Sequence, residues 1–544
     1  MAGIQQILLG MGGAGGDTYW YGLYSWGTQS GTLANNFYGF NGVDIDPDDN
    51  VYVAGQRNRT HTYYNDAIFA KLDIDGALQA QRRYVQSGNN SNPGNGVVYQ
   101  QYSHSSIASG ATQKVLWGGY LSGNALFFGM NVNTLECQGS DSVRVKDYVY
   151  YQSTMCGPSN GLKYVKSSNS NTYPVIYRAG NNGYINRIAF SNTNTQTGQT
   201  VSRDAQAGQP GYNSSNATSN YQRLRGYDTV NGHYPTTYWR GIDFIDDGVM
   251  NSGGTSDSDY NNSSPYIVLS GDYGQSYFGQ WLAITKRVGF SSMSESASLS
   301  KKLRPFFNDG NSKANIAGQV KCDSSYNYHA FRSYNNTASE HVGGISKWSN
   351  SGTEQWTKAL QDSSSNSSHE FNYNYVELRG ITIDDDGNSY VVGAAKATST
   401  RQVGVIVKIN ANGTIGWQNI FYKTSSNTNS TVDFKFVRMN SKGSLVVTGK
   451  LREDVYPSPT YGGGGTRANY DQGIVIKVAS DGSGTGTYGD YTYGTSSFAL
   501  VNWPYSWQNA TIGGGYNNYQ QQAQGYAENH DNSSSDAITT TSIA

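Results

Sequence analysis

Charge is scarce in this chain. Of 544 residues only 14% are Asp, Glu, Lys or Arg, and 38 basic against 39 acidic residues leave a net charge of −1. That balance excludes the electrostatic footprint of a nucleic-acid binder, and no run of lysine or arginine appears. No basic amphipathic stretch offers itself to an anionic membrane. No apolar segment approaches the ~20 residues of a membrane-spanning helix. Cysteine is rarer still: Cys137, Cys156 and Cys322 show no metal-ligand spacing. The expectation is buried free thiols, with a Cys137–Cys156 bridge as the alternative in an oxidising environment. Helical periodicity is nearly absent.

What remains is rich in turn and strand formers. There are 66 glycines and 44 tyrosines, with 36% hydrophobic residues. The aromatics are too many for a linker and the charge too low for a disordered polyelectrolyte. Two distant stretches share one skeleton. Gly42-Val-Asp-Ile-Asp46-Pro-Asp48-Asp-Asn50-Val-Tyr52-Val53-Ala-Gly55 lies over Gly380-Ile-Thr-Ile-Asp384-Asp-Asp386-Gly-Asn388-Ser-Tyr390-Val391-Val-Gly393. A repeat at fixed period makes each copy one structural unit.

Each copy reads as antiparallel β-structure. Val43 and Ile45 alternate with aspartates at period two, and the inner strands are expected to begin near Gly42, Gly241 and Gly380. Pro47-Asp48-Asp49-Asn50 and Asp385-Asp386-Gly387-Asn388 supply a turn, and Val51-Tyr52-Val53 returns as a second strand. A third strand, Ala67–Leu72 or Val405–Ile409, ends near a lysine, with glycine five residues later (Gly76, Gly413). Trp417 would open a fourth strand. Lys347, Gly352 and Trp356 repeat the Lys408, Gly413, Trp417 spacing, and Lys477 with Gly482 repeats half of it. Arg240–Gly248 parallels Arg379–Gly387, continuing through Tyr266–Gly271 and Trp281–Lys286. Degenerate copies fit at Lys114–Gly119 with Ala125–Phe128, and at Tyr173–Gly180 with Ile185–Ile188. Seven copies at intervals of roughly 50 to 75 residues, four short strands each, predict an all-β chain folded as a β-propeller.

The repeat resembles the SBBP family of β-propeller repeats, whose pattern runs glycine-apolar-x-apolar-Asp, Gly-Asn-x-Tyr-Val-x-Gly, Asp-Ala-apolar-apolar-x-Lys-Leu, then Gly and Trp. Residues 39–86 and 374–425 match well, 302–361 and 432–486 in part, and 100–300 poorly. The resemblance implies a propeller of six to eight blades and no fixed catalytic set.

The expected division is an N-terminal assembly arm, residues 1–38; a propeller, residues 39–497; and a C-terminal docking segment and polar arm, residues 498–544. Met1-Ala-Gly-Ile-Gln-Gln-Ile-Leu-Leu-Gly-Met-Gly-Gly-Ala-Gly-Gly16 lacks the basic start and long apolar run of a secretory signal. It is similar to the starts of structural proteins of aquatic tailed bacteriophages. Tyr19–Trp26 would link this arm to the ring, either as a connector or as an added strand closing the last blade. Phe498–Trp507 reads as one more strand or a docking segment. Residues 520–544, rich in Gln, Asn, Ser and Thr, read as an arm that neighbouring subunits order.

No histidine (His61, His104, His233, His329, His341, His369, His530) sits in a catalytic or metal-binding spacing. Asp44-Asp46-Asp48-Asp49, Asp246-Asp247 and Asp384-Asp385-Asp386 are closely spaced carboxylates of the kind hard cations use. They fall where the repeat needs a turn, so turn chemistry is the first reading, with calcium and acid/base catalysis as alternatives. Lys71, Lys347, Lys408 and Lys477 are expected to snorkel at strand ends; Trp117, Trp281, Trp356 and Trp417 to pack between blades; Tyr63-Tyr64 or Tyr260 to be available for stacking on sugar rings. No catalytic residue, cofactor or metal ligand is assigned. Three functional classes follow: a structural phage tail protein (nozzle, hub or fibre) partnered by other virion proteins, copies of itself and a host-surface glycan or receptor; a bacterial surface or secreted carbohydrate-binding propeller; and a propeller glycosidase or lyase. The expected location is the virion, with the cell surface or exterior as the alternative.

Overall fold

The computed structural model describes residues 7–9, 19–26, 37–58, 65–84, 94–100, 114–121, 124–135, 137–145, 162–167, 175–179, 184–189, 218–228, 230–233, 235–245, 249–250, 266–275, 279–288, 294–307, 310, 312–338, 340–362, 375–396, 401–424, 430–455, 468–513, 521–522 and 538–540. Among these residues every named element is a strand.

Four-stranded antiparallel meanders recur along the chain. The first runs from β3 (Phe37–Ile45) through Val51–Asn58 and Asn65–Leu72 to Leu78–Tyr84. Later ones begin at Gly94–Gln100, Leu162–Ser167, Thr237–Phe244, Lys313–Cys322 and Val376–Ile383. The last comprises Ser430–Met439, Leu445–Val455 and Ala468–Val478. Its fourth strand is β2 (Tyr19–Trp26), which pairs antiparallel with Ala468–Val478. First strands neighbour one another in chain order, and Ser430–Met439 returns beside β3. That closes the ring: the fold is a β-propeller, with seven such sheets traceable among the described residues. We number them blades 1 to 7.

Six of the seven first strands hold a β-bulge, that of blade 3 being regular. Gly42, Gly241 and Gly380, expected to begin the inner strands, instead sit at these irregularities in mid-strand. Inner strands crowd one another there. A Cβ on Gly241 would meet the Gly318 carbonyl at 2.7 Å, and one on Gly380 the Lys435 carbonyl at 2.8 Å. Polar side chains at the bulges join neighbouring blades: Arg379 of blade 6 binds Asp433 of blade 7 at 2.7 Å, and Lys435 of blade 7 donates to Asn41 of blade 1 at 3.0 Å. In blade 5 the Gln319 side-chain oxygen accepts from the Ile381 amide at 3.0 Å. Apolar clusters fill the seams, such as Val43, Val53, Ile68 and Phe40 of blade 1 with Phe436, Val446 and Val475 of blade 7.

The aspartate turns are built by their own side chains. Asp46 Oδ1 accepts from the Asp48 and Asn50 amides at 3.0 and 2.8 Å, and its Oδ2 from Asn50 Nδ2 and Tyr52 Oη. Asp384 makes the corresponding bonds with Asn388 and Tyr390. Asp49 (φ 63°) takes the left-handed position that Gly387 (φ 75°) fills in blade 6. These are Asx turns capping a strand hairpin. Asp246 and Asp247 lie outside the described residues.

Candidate functional site: inter-blade seams, closure blade and strap

Tyrosine on the second strand, lysine on the third and tryptophan on the fourth stand in one cross-strand row. Tyr390 pairs with Lys408 and Lys408 with Trp417; Tyr328, Lys347 and Trp356 repeat this. The row faces the next blade's turn between third and fourth strands. Lys347 Nζ and Trp356 Nε1 both donate to the Ala411 carbonyl at 3.2 Å, and Trp417 Nε1 donates to Ser480 at 2.8 Å. Lys71 reaches Asn133 in blade 2, and Lys286 reaches the Asn350 carbonyl at 2.7 Å. So Lys347 and Lys477, 6% and 1% exposed, do not snorkel into water as expected, whereas Lys71 and Lys408 are half-buried at their strand ends. A buried ammonium needs such an acceptor to offset its desolvation.

The +5 glycine now has a reason. Gly413 and Gly482 take positive φ (81° and 79°), and the ring of the preceding blade's tryptophan lies over each. A Cβ on Gly482 would sit 2.7 Å from the Trp417 ring. Trp356 and Trp417 therefore pack between blades, as the sequence predicts, although half-buried. Trp281 belongs to a third strand and is buried without an Nε1 partner. The side chain of Trp117, and Tyr63, Tyr64 and Tyr260, lie outside the described residues.

Blade 7 completes this row with the other end of the chain. Nine residues after Lys477, where the repeat has tryptophan, stands Gly486. Trp20 of β2 takes the place, opposite Lys477. Trp20 Nε1 and Lys477 Nζ donate to the Ile74 carbonyl of blade 1 at 3.0 and 3.1 Å, over Gly76. Asp49 adds to this seam, accepting from the Ser441 amide and hydroxyl at 2.8 and 2.7 Å. Tyr21 packs edge-on against Phe421 and Tyr491, and burial with nearby Asp490 pushes its hydroxyl up to about 12.

The chain then runs backwards around the outside. Tyr491–Thr495 adds to the outer strand of blade 6, Phe498–Asn502 to that of blade 5, and Gln508–Asn509 to that of blade 4. Gln521–Gln522 adds to the outer strand of blade 3. Within Phe498–Trp507, Phe498–Asn502 is thus one more strand, docked on its own ring as a strap. Trp503 anchors it, 7% exposed, against Phe331 and Phe306, with Nε1 donating to the Arg304 carbonyl. Trp507 Nε1 donates to Thr357 at 2.8 Å. Two further short strands lie on β2. β1 (Ile7–Leu9) pairs with Tyr19–Tyr21, and Ile538–Thr540 pairs with Tyr24–Trp26.

One buried ionic cluster lies where blades 5, 6 and 7 meet. Glu377 is 2% exposed and receives Arg332, Arg379 and Tyr375, with His341 Nδ1 at 3.0 Å. Burial alone would raise its pKa, but the two guanidiniums dominate and hold it well below the usual carboxylate range. It is a permanent anion, suited to holding blades together rather than to carrying protons. Of the other histidines, His329 is buried and bonded to Asn327, His233 faces Asp228 at 4.0 Å, and the remaining four lie outside the described residues. Cys322 is a buried free thiol. Among the described residues no three His, Cys, Asp or Glu side chains converge as a metal site.

No family model matches the chain, and no curated protein matches it. Among solved structures it is similar to Sqt1 from Chaetomium thermophilum, over 82% of this chain and 100% of that one, at 9% identity and a TM-score of 0.37. The WD40 domain of SCAP from fission yeast is similar over 92% and 98%, at 8% identity and 0.27. Drosophila Plexin A in complex with Semaphorin 1b follows, over 82% and 88%, at 12% identity and 0.26. At such scores the likeness carries no weight for function. The propeller class rests on strand order and ring closure.

Proposed function

We propose that this protein is a structural virion protein of a tailed phage, a propeller on the tail that joins neighbouring subunits and faces the host surface. The observation that carries this reading is the pairing of two segments distant in sequence, Ile7–Leu9 and Ile538–Thr540, with one edge, that of β2. Extra strands gathered at one edge of the ring offer a single place of attachment, as an assembly component needs. Two further features support it. The opening Met1–Gly16 is similar to the starts of tailed-phage structural proteins. Four aspartates of the acidic clusters are engaged in turns and seams: Asp46 and Asp384 cap hairpins, Asp49 holds Ser441, and Asp44 faces Arg438 at 3.5 Å. The test is incorporation. Deleting residues 1–16 should leave a folded ring with an unchanged melting temperature and abolish its recovery in purified particles. A truncated protein that unfolds, or that still enters particles, overturns this reading, as does a full-length protein absent from particles altogether.

A further inference from the structure

The closing seam is built differently from its neighbours. In blades 5 and 6 the third strand turns at a glycine and continues as the fourth. In blade 7 the turn at Gly482 is made, but β2 fills the place of the fourth strand. The chain leaves past Ser483 and Gly484 for the outside of blade 6, where Gly486–Tyr488 and Tyr491–Thr495 form a hairpin. Two segments meeting where one belongs enclose a cavity of about 410 Å³, counting the part open to solvent. Six aromatic side chains line it: Tyr19, Trp20 and Tyr21 of β2, Phe421 of blade 6, and Tyr488 and Tyr493 of the hairpin. Tyr19 and Tyr488 are half-buried, and the other four are buried.

The donors of these walls are spent on backbone carbonyls. Trp20 Nε1 and Lys477 Nζ share that of Ile74, Tyr21 Oη donates to Tyr488 at 2.9 Å, and Tyr488 Oη donates to Gly484 at 2.6 Å. An anion or a sugar needs donors and finds few here. What the cavity offers is aromatic surface with negative charge beside it. Asp481 accepts from the amide of Ser483, itself part of the lining, at 2.8 Å. Burial and then Asp490 push the Tyr21 hydroxyl up to about 12, and burial with Asp481 pushes that of Tyr493 up. A bare ammonium would keep its water. A cation clothed in methyl groups suits both features, since the rings bury its apolar surface while ring faces and carboxylates attract its charge.

We propose that the cavity at the closing seam binds a quaternary ammonium group, such as the trimethylammonium of choline. The site goes beyond the assembly reading and does not depend on it. The test titrates choline chloride into the full chain, followed by saturation-transfer NMR and calorimetry. Saturable binding is expected, and the alcohol in which carbon replaces choline's nitrogen should bind at least about tenfold more weakly. Tyr488→Ala removes a wall and should abolish binding. Asp490→Asn removes an exposed charge and should weaken binding about threefold with the melting temperature unchanged. If Tyr488→Ala lowers the melting temperature, Ser483→Arg, at an exposed position of the lining, blocks the cavity instead. No saturable binding of choline, equal binding of the uncharged alcohol, or binding that survives both Tyr488→Ala and Ser483→Arg overturns the proposal. Retention on phosphatidylcholine vesicles would make a lipid headgroup the source of the group, and choline binding without retention a free solute; either outcome sustains the site. Choline binding by a protein absent from particles sinks only the virion role, and a particle protein indifferent to choline sinks only this site.

Discussion

Trp20 and Lys477 stand directly opposite one another across β2 and the last strand of blade 7, and both donate to the Ile74 carbonyl. One residue comes from the start of the chain and one from near its end, and together they rebuild the Lys–Trp pair that other blades carry on consecutive strands. The ring is closed by the same contact that joins its ordinary seams.

Trp20 should therefore matter more than its counterparts. It is 1% exposed, whereas Trp356 and Trp417 are half-buried. Trp20→Ala should cost about 3–5 kcal/mol, the usual range for a buried aromatic. Trp417→Ala should cost less. Urea denaturation of the two variants checks the order; equal losses would mean that β2 is not the lock of the ring.

The turn glycines separate conformational strain from crowding. Gly76 (φ 83°) would place a Cβ 2.5 Å from the Trp20 ring, whereas Gly443 (φ 78°) has open space. Gly76→Ala should cost about 2–4 kcal/mol, from strain and overpacking together. Gly443→Ala should cost about 1 kcal/mol, from strain alone. Thermal melts of both proteins decide it.

Acid should weaken the fold through His329. This side chain is fully buried, and desolvation pushes its pKa down to about 3. The unfolded chain binds a proton near pH 6.5 and the folded one does not, so stability is full above that pH. It falls by about 1.4 kcal/mol per unit as pH drops towards 3. Glu377, held low by its arginines, adds a loss in the same direction only below the ordinary carboxylate range. Denaturant midpoints between pH 7 and 5 should fall for the native protein and much less for His329→Gln. A flat native profile would show that the imidazole is accessible to protons.

The aspartate turns should be indifferent to chelators. Asp384 accepts from the Asn388 amide and side chain and from Tyr390 at 2.8, 2.8 and 2.9 Å. Asp384→Ala leaves these donors unpaired and should cost about 1–3 kcal/mol. Adding EDTA should move the melting temperature by less than about 2 °C, whereas a drop near ten degrees would mean a bound cation stabilises the native state.

Much of the propeller is legible in the sequence because its elements are local. Period-two alternation, the Asp-x-x-(Gly or Asp)-Asn turn and the Lys, +5 Gly, +9 Trp spacing each report on residues within one blade. The same spacing conceals what the residues do. Lys347 reads as a surface cation, since the carbonyl it binds belongs to a turn 64 positions further on. The bulges at Gly241 and Gly380 read as strand starts, because the crowding that requires glycine comes from a neighbouring inner strand. The ionic cluster around Glu377 left no signal, its members coming from three blades.

The sequence by itself determined the class and the unit: strands, hairpin turns, and a repeat that buries one face against its neighbour. Closure was decided only by tertiary structure. Gly486 where a tryptophan belongs is a visible gap, but nothing local says that Trp20 fills it. A sheet edge accepts any strand of suitable register, and which strand arrives depends on where the ring brings the two ends of the chain. The strap followed the same logic. Residues 520–544 read as an arm awaiting other subunits, yet Gln521–Gln522 and Ile538–Thr540 pair with this chain's own strands, because backbone pairing needs no apolar sequence.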